Sequence, residues 1–256
     1  MDTAMDTPLA VVTGASRGLG RALAGALNER GWRLVVDGRD GDRLAATVAA
    51  LPQPALVTAV RGDVADPAHR AALAAAAGGR LDLLVNNASE LGPSPLPPLV
   101  ALHCDDLERI LAVNVVAPLA LTAALLPALV SARGRIVNVS SDAAVEAYEG
   151  WGGYGASKAA LDQLTAVLGV EHPELRCYAV DPGDMATDMH QAAFPGEDIS
   201  DRPAPETVVP GLLALIDGDL PSGRYRILAS VQGPTASVRV VGGGEVLSVI
   251  VAGAAR

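Results

Sequence analysis

Lysine is almost absent from this chain of 256 residues: Lys158 is the only one, and every other basic residue is arginine apart from four histidines. Aromatic residues are also scarce, at 3%, so Ala, Val and Leu must fill the interior. Two cysteines, Cys104 and Cys177, are too few for a disulfide framework and lack metal-ligand spacing. We therefore expect neither a disulfide-stapled domain nor a metal site.

Long apolar runs are missing as well. Pro, Arg or Asp interrupts each stretch that approaches the roughly eighteen residues of a membrane span. The first residues are acidic and carry no basic, apolar signal sequence. A formal net charge of −10 argues against nucleic acid or an anionic membrane as the main partner. These absences predict a cytoplasmic protein with no nucleic-acid or membrane partner.

Strand-like and helix-like segments alternate along the chain. Short apolar runs typical of strands begin at Leu9, Leu34, Ala55, Leu81, Ile136 and Leu175. Segments with apolar residues at helical spacing stand between them. This alternation predicts a Rossmann-like α/β fold, in which a doubly wound parallel sheet lies between two layers of helices. Ligands of such sheets bind at the carboxyl ends of the strands.

The length fits one domain over residues 1–230, followed by a tail over residues 231–256. Within the domain, residues 184–206 are rich in Pro, Gly and Asp and predict a mobile lobe that covers the substrate. The tail has two Val-rich runs around Gly242, Gly243 and Gly244, a pattern typical of a β-hairpin. We expect this hairpin either to extend the sheet edge or to reach across a dimer.

The single lysine follows Tyr154 by four residues, in the segment YGASK. Residues four apart share one face of a helix, so the ammonium would lie beside the phenol. A neighbouring cation favours the ionised phenol and lowers its pKa. A change from about 10 to near 7 corresponds to about 4 kcal/mol. Arginine is a poor substitute where a compact ammonium must share space with a phenol and a ligand hydroxyl.

A glycine-rich segment, TGASRGLG from Thr13, joins the first strand to the first helix. Glycines there permit a tight turn and close backbone approach, and the helix N-terminus favours a pyrophosphate. Three glycines at this spacing are a weak signal alone. Their position between a strand and a helix predicts a dinucleotide site.

Taken in order, these motifs resemble the short-chain dehydrogenase/reductase family of the single-domain type. They are TGASRGLG from Thr13, GDV from Gly62, NNA from Asn86, Asn114, Ser140-Ser141, YGASK from Tyr154 and DPG from Asp181. The resemblance covers residues 9–187 and fades afterwards. It implies an NAD(P)-dependent oxidoreductase that transfers a hydride between NADP(H) and a carbonyl or secondary alcohol.

The resemblance implies four catalytic residues. Tyr154 would be the general acid or base, and Lys158 would hold the nicotinamide ribose and lower the pKa of the phenol. Two adjacent serines compete for one role, and family spacing selects Ser141 over Ser140 to orient the substrate oxygen. Asn114 would anchor a water that resupplies the proton.

The resemblance also implies a set of cofactor-binding residues, in which Asp63 and Val64 would contact the adenine. The full set is Gly14, Ser16, Arg17, Gly18, Leu19, Gly20, Gly38, Arg39, Asp63, Val64, Asn87, Ala88, Tyr154, Lys158, Pro182, Gly183 and Thr187. The family usually has glycine where Ser89 follows the NNA run, a departure that concerns the local backbone.

The end of the second strand governs the choice of cofactor. An acidic residue there binds the ribose hydroxyl of NAD, whereas an arginine accommodates the extra phosphate of NADP. The resemblance aligns Gly38 with the selective position, Asp37 one step before it and Arg39 one step after it. Arg17 in the glycine-rich turn also faces a phosphate, so NADP(H) is favoured over NAD(H).

The expected partner is a small-molecule carbonyl or alcohol. Residues 142–151 would form one wall of its pocket, where Glu146 and Glu149 would disfavour anionic substrates. Family resemblance of the helices near Leu107 and Tyr154 implies a homodimer or homotetramer. Two other functions stay open: a catalytically silent dinucleotide-binding sensor or scaffold, and a non-redox lyase or isomerase.

Overall fold

We describe the protein from a computed structural model, which covers residues 7–229, 237–242 and 245–250. The strands are β1 (Leu9–Val12), β2 (Arg33–Gly38), β3 (Val57–Arg61), β4 (Leu83–Asn86), β5 (Arg135–Val139), β6 (Arg176–Asp181), β7 (Gly223–Ala229), β8 (Ser237–Gly242) and β9 (Glu245–Ile250). The α-helices are α1 (Gly18–Glu29), α2 (Gly41–Ala49), α3 (Pro67–Ala77), α4 (Cys104–Leu111), α5 (Ala117–Ala132), α6 (Gly152–Glu171), α7 (Asp188–Ala193) and α8 (Val209–Asp217).

The strands form one sheet in the order β3-β2-β1-β4-β5-β6-β7-β8-β9. Strands β1 to β7 are parallel to one another. The strand order reverses between β1 and β4, where a crevice opens at the carboxyl ends of a doubly wound sheet. The predicted Rossmann-like fold is confirmed.

The strand sequences explain why helices cover both faces. Val12 and Val36 pack into a cluster with Leu23 of α1. The neighbouring Val11 packs on the opposite face with Leu73 of α3. Because successive side chains point to opposite faces, strands that are apolar throughout need a helical layer on each side.

The long apolar helix is interrupted. Its two prolines, Pro118 and Pro127, predict that it bends or ends there; in the structure Pro118 lies in the first turn of α5 and Pro127 inside that helix. The irregularity is a π-helical turn at Ala112–Val116, which contains Asn114. Such turns are rare and often lie at functional sites. This turn places the Asn114 side chain in contact with Glu90, in the segment that follows β4.

The expectation that every apolar run is too short for a membrane span is wrong by one criterion. Among the described residues, the helical stretch Cys104–Ala132 is long enough, with a mean hydropathy of 2.1 over its best window. Its buried residues, including Leu121 and Leu125, pack in the same cluster as Leu84 of the sheet. A core helix of this kind passes the same test of length and hydropathy.

The two Val-rich tail runs form β8 and β9, which pair antiparallel with each other, as predicted for a hairpin. Strand β8 also pairs antiparallel with β7, so the hairpin extends the sheet edge rather than standing apart from it. The central turn residues 243–244 and the end of the tail, 251–256, lie outside the described residues.

Candidate active site

A cavity of about 760 Å³ opens at the carboxyl ends of the strands. Most of the residues predicted for catalysis or cofactor binding line it: Gly14, Ser16, Arg17, Gly18, Leu19, Gly38, Arg39, Asp63, Val64, Asn87, Ala88, Ser141, Tyr154, Lys158, Pro182, Gly183 and Thr187. Gly20 and Asn114 are the two predicted residues outside this lining. Both lie outside the cavity and contact residues that line it.

The glycine-rich turn is shaped by close contact with the end of β4. Gly14 has a positive φ of 66°, and a Cβ there would lie 2.9 Å from the Ala88 backbone. A Cβ on Gly20 would lie 2.5 Å from the Asn87 amide. That amide donates to the carbonyl oxygens of Thr13 (2.9 Å) and Gly14 (3.1 Å). Gly20 therefore serves by admitting Asn87, which fixes the turn.

Asn114 orders the segment that follows β4. Its Oδ1 accepts from the Glu90 N–H at 2.7 Å, and its Nδ2 donates to the Glu90 carbonyl at 2.8 Å and to Ser157 Oγ at 2.9 Å. Ser89 Oγ donates to the same Oδ1 at 3.3 Å. The asparagine is 1% exposed, and its bonds join the segment after β4 to α6. Its role in anchoring water stays a prediction.

Tyr154 and Lys158 are both buried and lie side by side on α6. Lys158 Nζ is 5.4 Å from the Tyr154 ring centroid and donates to the Val139 carbonyl at 2.7 Å. Burial raises the pKa of Tyr154 to about 12, against hydrogen bonds to Ser89 and Ser141 that lower it. The predicted lowering of this pKa is wrong in direction, because desolvation dominates and the ammonium points at a backbone carbonyl.

Burial also shifts the pKa of the lysine side chain. The pKa of Lys158 falls to about 8, mainly because its charge is removed from water, while Asp162 acts in the opposite direction. At neutral pH the amine therefore still carries its proton. Sequence reasoning identified the pair but not the two shifts, which depend on burial by other elements.

Ser141 lies at the end of β5 with its hydroxyl engaged locally. Its Oγ donates to Asp142 Oδ1 at 3.1 Å and accepts from the Ala143 N–H at 3.2 Å. Its carbonyl accepts from Arg224 Nη2 at 2.9 Å, and Arg224 also binds Asp162 at 2.8 Å. Arg224 of β7 was missed by sequence reasoning, because only the tertiary fold brings β7 to this loop.

The end of β2 separates the two candidate determinants of cofactor choice. Asp37 is 1% exposed, and its carboxylate accepts from the Gly14 N–H and from His69 Nε2 at 2.9 Å. The Asp37 carboxylate is therefore occupied by buried groups of the protein itself. A Cβ on Gly38 would lie 3.0 Å from the Ser16 side chain. The glycine therefore leaves room for Ser16 and offers no carboxylate to a ligand.

Three arginines line the cavity at this end. Arg17 and Arg43 both bind the Asp188 carboxylate, at 2.8 and 3.0 Å, and Arg39 binds Glu90 at 3.2 Å. A cluster of guanidinium groups is the donor set that suits a phosphate. Arg43 was not predicted, although it follows Arg39 by four residues near the start of a helix, a spacing that brings side chains together.

Asp63 lines the cavity at the end where adenine is predicted to bind. Burial alone would raise the pKa of its carboxyl, but hydrogen bonds from the Ala65 N–H and from Arg109 hold it below its ordinary value. Arg109 Nη2 approaches Asp63 Oδ2 at 2.6 Å. This carboxylate stays ionised at neutral pH and fixes the turn that carries Val64.

The opposite end of the cavity has an apolar wall. Trp151 packs edge-on against Tyr154, with ring centroids 5.6 Å apart, and lies 6.0 Å from Phe194 of the lobe. Met185 and Met189 line the same end. The lobe helix α7 begins after Thr187, whose Oγ1 accepts from a helix N–H at 3.2 Å. Thr187 thus anchors the lobe beside the glycine-rich turn.

The DPG segment is stiffened from within. Asp181 is 2% exposed, burial raises its pKa, and its Oδ1 accepts from the Gly183 N–H at 2.9 Å. Gly183 has a positive φ of 73°. The carboxyl and the glycine together set the direction in which the chain enters the lobe.

Comparisons with known proteins agree with this geometry. A family model described as short chain dehydrogenase matches residues 8–198. Serine 3-dehydrogenase of Agrobacterium fabrum is 36% identical over 185 residues, which cover 70% of this chain and 72% of that protein. Sepiapterin reductase of Mus musculus is 35% identical over 199 residues, covering 72% and 76%.

Solved structures give the same picture. An alcohol dehydrogenase of Thermococcus sibiricus in complex with 5-hydroxy-NADP has a TM-score of 0.78 and 25% identity, covering 89% of this chain and 98% of that chain. A protein of Escherichia coli CFT073 in complex with NADPH has a TM-score of 0.79 and 29% identity, covering 86% and 95%.

Proposed function

The chain belongs to the short chain dehydrogenase family of nicotinamide-dependent oxidoreductases, and from that premise we propose that it reduces an uncharged carbonyl compound with NADPH. The observation that carries the proposal is one cavity with two chemically different ends. Hydroxyls of Ser141 and Tyr154 meet beside buried Lys158 at one end, and the guanidinium groups of Arg17, Arg39 and Arg43 lie at the other.

The residues at the basic end fit NADP(H). Bound NADPH would supply the hydride. Arg17, Arg39 and Arg43 would bind the phosphate on the adenine ribose, while the Asp37 carboxylate is already occupied by the Gly14 N–H and His69. NADP-type ligands in two structural neighbours support the same choice. The guanidinium groups of Arg17 and Arg43 must leave Asp188 to bind a phosphate, so we propose that they exchange one anion for another.

Proton transfer is assigned to Tyr154. A phenol with a pKa raised to about 12 is protonated at neutral pH, which suits a general acid for carbonyl reduction. Ser141 would turn its hydroxyl from Asp142 to the substrate oxygen and hold that oxygen against the phenol. The reverse reaction needs the ionised phenol, so alcohol oxidation is expected to increase with pH.

The apolar end favours an uncharged substrate with a flat or branched apolar group. Trp151, Met189 and Phe194 line this end, and Asp142 and Asp184 are the acidic residues near them. Tyr148 donates to Glu146 at 2.7 Å and to Asp142 at 3.3 Å, which keeps both carboxylates at this rim. A carboxylated substrate would meet like charge here. Neither Glu146 nor Glu149 lines the cavity, so the exclusion of anions is assigned to Asp142 and Asp184.

The test is a panel of ketones with NADPH and NADH as alternative reductants. We expect loss of NADPH absorbance with neutral ketones, slower loss with NADH, and slower reduction of a carboxylated ketone than of its neutral analogue. Tyr154→Phe should lose the activity while still binding NADPH. Comparable rates with both reductants would refute the cofactor choice. No turnover with any carbonyl would favour a silent sensor or a non-redox lyase or isomerase.

We also propose a homo-oligomer in the cytoplasm. Exposed apolar side chains lie on two helical faces: Val116 and Leu119 by α5, and Val167 and Val170 on α6. Covering such faces with a second copy would bury apolar surface. Sedimentation equilibrium is expected to give a dimer or tetramer mass. A monomer at micromolar concentration would contradict the proposal.

A further inference from the structure

A buried carboxylate and imidazole lie beneath the glycine-rich turn, outside the reaction proposed above. His69 Nε2 is 2.9 Å from Asp37 Oδ2, and the two side chains are 4% and 2% exposed. The other oxygen of Asp37 accepts from the Gly14 N–H. The backbone carbonyl of Asp37 accepts from the Ala15 N–H at 2.9 Å. Two consecutive N–H groups of the turn are thus held by one residue of β2.

The imidazole is built into its position. His69 is the third residue of α3, which begins at Pro67 after its N-cap, Asp66. The ring lies so close to Gly62, at the end of β3, that a Cβ there would be 2.2 Å from His69 Nδ1. Only glycine leaves room for the ring. The helix start and the missing side chain together direct Nε2 at Asp37.

We propose that His69 and Asp37 are positioning residues for the dinucleotide: His69 holds the Asp37 carboxylate, and that carboxylate holds the glycine-rich turn in its binding conformation. The pair joins three segments that line the cavity, namely the turn at Gly14, the β2 end at Gly38 and the β3 end before Asp63. Neither residue donates a proton or binds substrate in the mechanism above.

The pair would strengthen dinucleotide binding by preorganising the glycine-rich turn. Gly14 has a positive φ. Because glycine can adopt many other backbone conformations, the turn needs bonds from other segments to keep this one. A carboxylate buried with two donors is stable, but the loss of one donor leaves one of its oxygens unsatisfied. Without His69, the carboxylate is expected to rotate or admit water and release the Gly14 N–H. Binding then includes the cost of ordering the turn.

The inference rests on the proposed use of a dinucleotide, so its test separates the turn from the reaction. Amide hydrogen exchange in the cofactor-free protein reports on the Gly14 and Ala15 N–H groups. The dissociation constant of NADPH, measured by titration calorimetry without substrate, reports on binding. Both readouts remain available even if no carbonyl is turned over.

His69→Leu is expected to speed exchange at Gly14 and to raise the dissociation constant of NADPH, each by about ten-fold, the factor for the loss of one hydrogen bond to a charged group. Amides of β5 should keep their protection, and any measured turnover should show a higher KM for NADPH with kcat within about two-fold. His69→Gln, whose amide can still donate, should recover most of the binding. His103→Leu, at an exposed histidine, is the matched control and should change nothing.

Two outcomes would overturn the proposal. One is a folded His69→Leu protein with wild-type exchange at Gly14 and wild-type NADPH binding. The other is an equal loss of protection at Gly14 and throughout β5, which would indicate a general core defect. If His69→Leu does not fold, His69→Asn, whose shorter amide cannot reach Asp37, replaces it with the same expected outcomes.

Discussion

Replacement of Lys158 by methionine is expected to remove activity and stabilise the fold at neutral pH. The pKa of this lysine falls from its ordinary value of 10.5 to about 8 because burial disfavours the charge. At 1.36 kcal/mol per pKa unit, the charged side chain lowers the free energy of unfolding by about 3 kcal/mol at pH 7. Methionine has similar length and no charge, so it avoids this loss.

The lost hydrogen bond to the Val139 carbonyl offsets part of the gain, by about 1–2 kcal/mol. The net stabilisation at pH 7 is therefore about 1–2 kcal/mol, or a few degrees in Tm for a chain of this size. The sign of the pH dependence follows from the depressed pKa. The loss of stability is complete below about pH 8 and disappears as the pH rises above 10.5, where the amine is neutral in both states.

The assay is urea unfolding of the wild type and of Lys158→Met at pH 7 and pH 9.5. The advantage of the variant should shrink by about 2 kcal/mol between the two pH values, since most of the desolvation cost is relieved once the folded-state amine has lost its proton at pH 9.5. Tyr154→Phe serves as the control, because it leaves the lysine in place and should not show this trend. A variant less stable than the wild type at pH 7, by the same margin at both pH values, would refute the reasoning.

Three further predictions concern the same cavity. Arg43→Ala should raise KM for NADPH about ten-fold or more and leave KM for NADH unchanged in steady-state assays, because one guanidinium is lost from the phosphate end. Ser89→Gly should raise the pKa of Tyr154 and slow alcohol oxidation at pH 8 by about three- to ten-fold, since Ser89 lowers that pKa; an unchanged pH–rate profile would contradict this. Lys158→Arg keeps the charge, yet should lose most turnover, because a guanidinium does not fit the buried space of the ammonium; retained activity would argue against a specific role for the lysine.

Local pattern and chain order were enough to predict much of the fold. Helix α3 begins at Pro67, where local signals favour a helix start, because a proline in the first turn follows an aspartate N-cap. Apolar runs located the strands to within a few residues. The break in the long helix was misplaced, since a π-helical turn has no strong local signal whereas prolines do.

The site residues divide in the same way. Those that belong to contiguous motifs, such as Gly14 and Tyr154, line the cavity as predicted. Those that depend on distant elements were missed: Arg43 meets Asp188 from 145 residues away, and His69 meets Asp37 from 32. Spacing between Tyr154 and Lys158 gave their proximity but not their environment. Burial, which reverses the expected pKa shift of the phenol, is a property of the folded chain alone.

The central claim is that this cavity carries out NADPH-dependent carbonyl reduction with Tyr154 as the proton donor. The most direct measurement is NADPH oxidation with a neutral ketone by the wild type and by Tyr154→Phe, with NADPH binding measured for both. We expect turnover by the wild type, about a hundred- to ten-thousand-fold less turnover by the variant, and similar NADPH affinity, since general acid catalysis contributes about 10²–10⁴-fold. Undiminished turnover by Tyr154→Phe would contradict it.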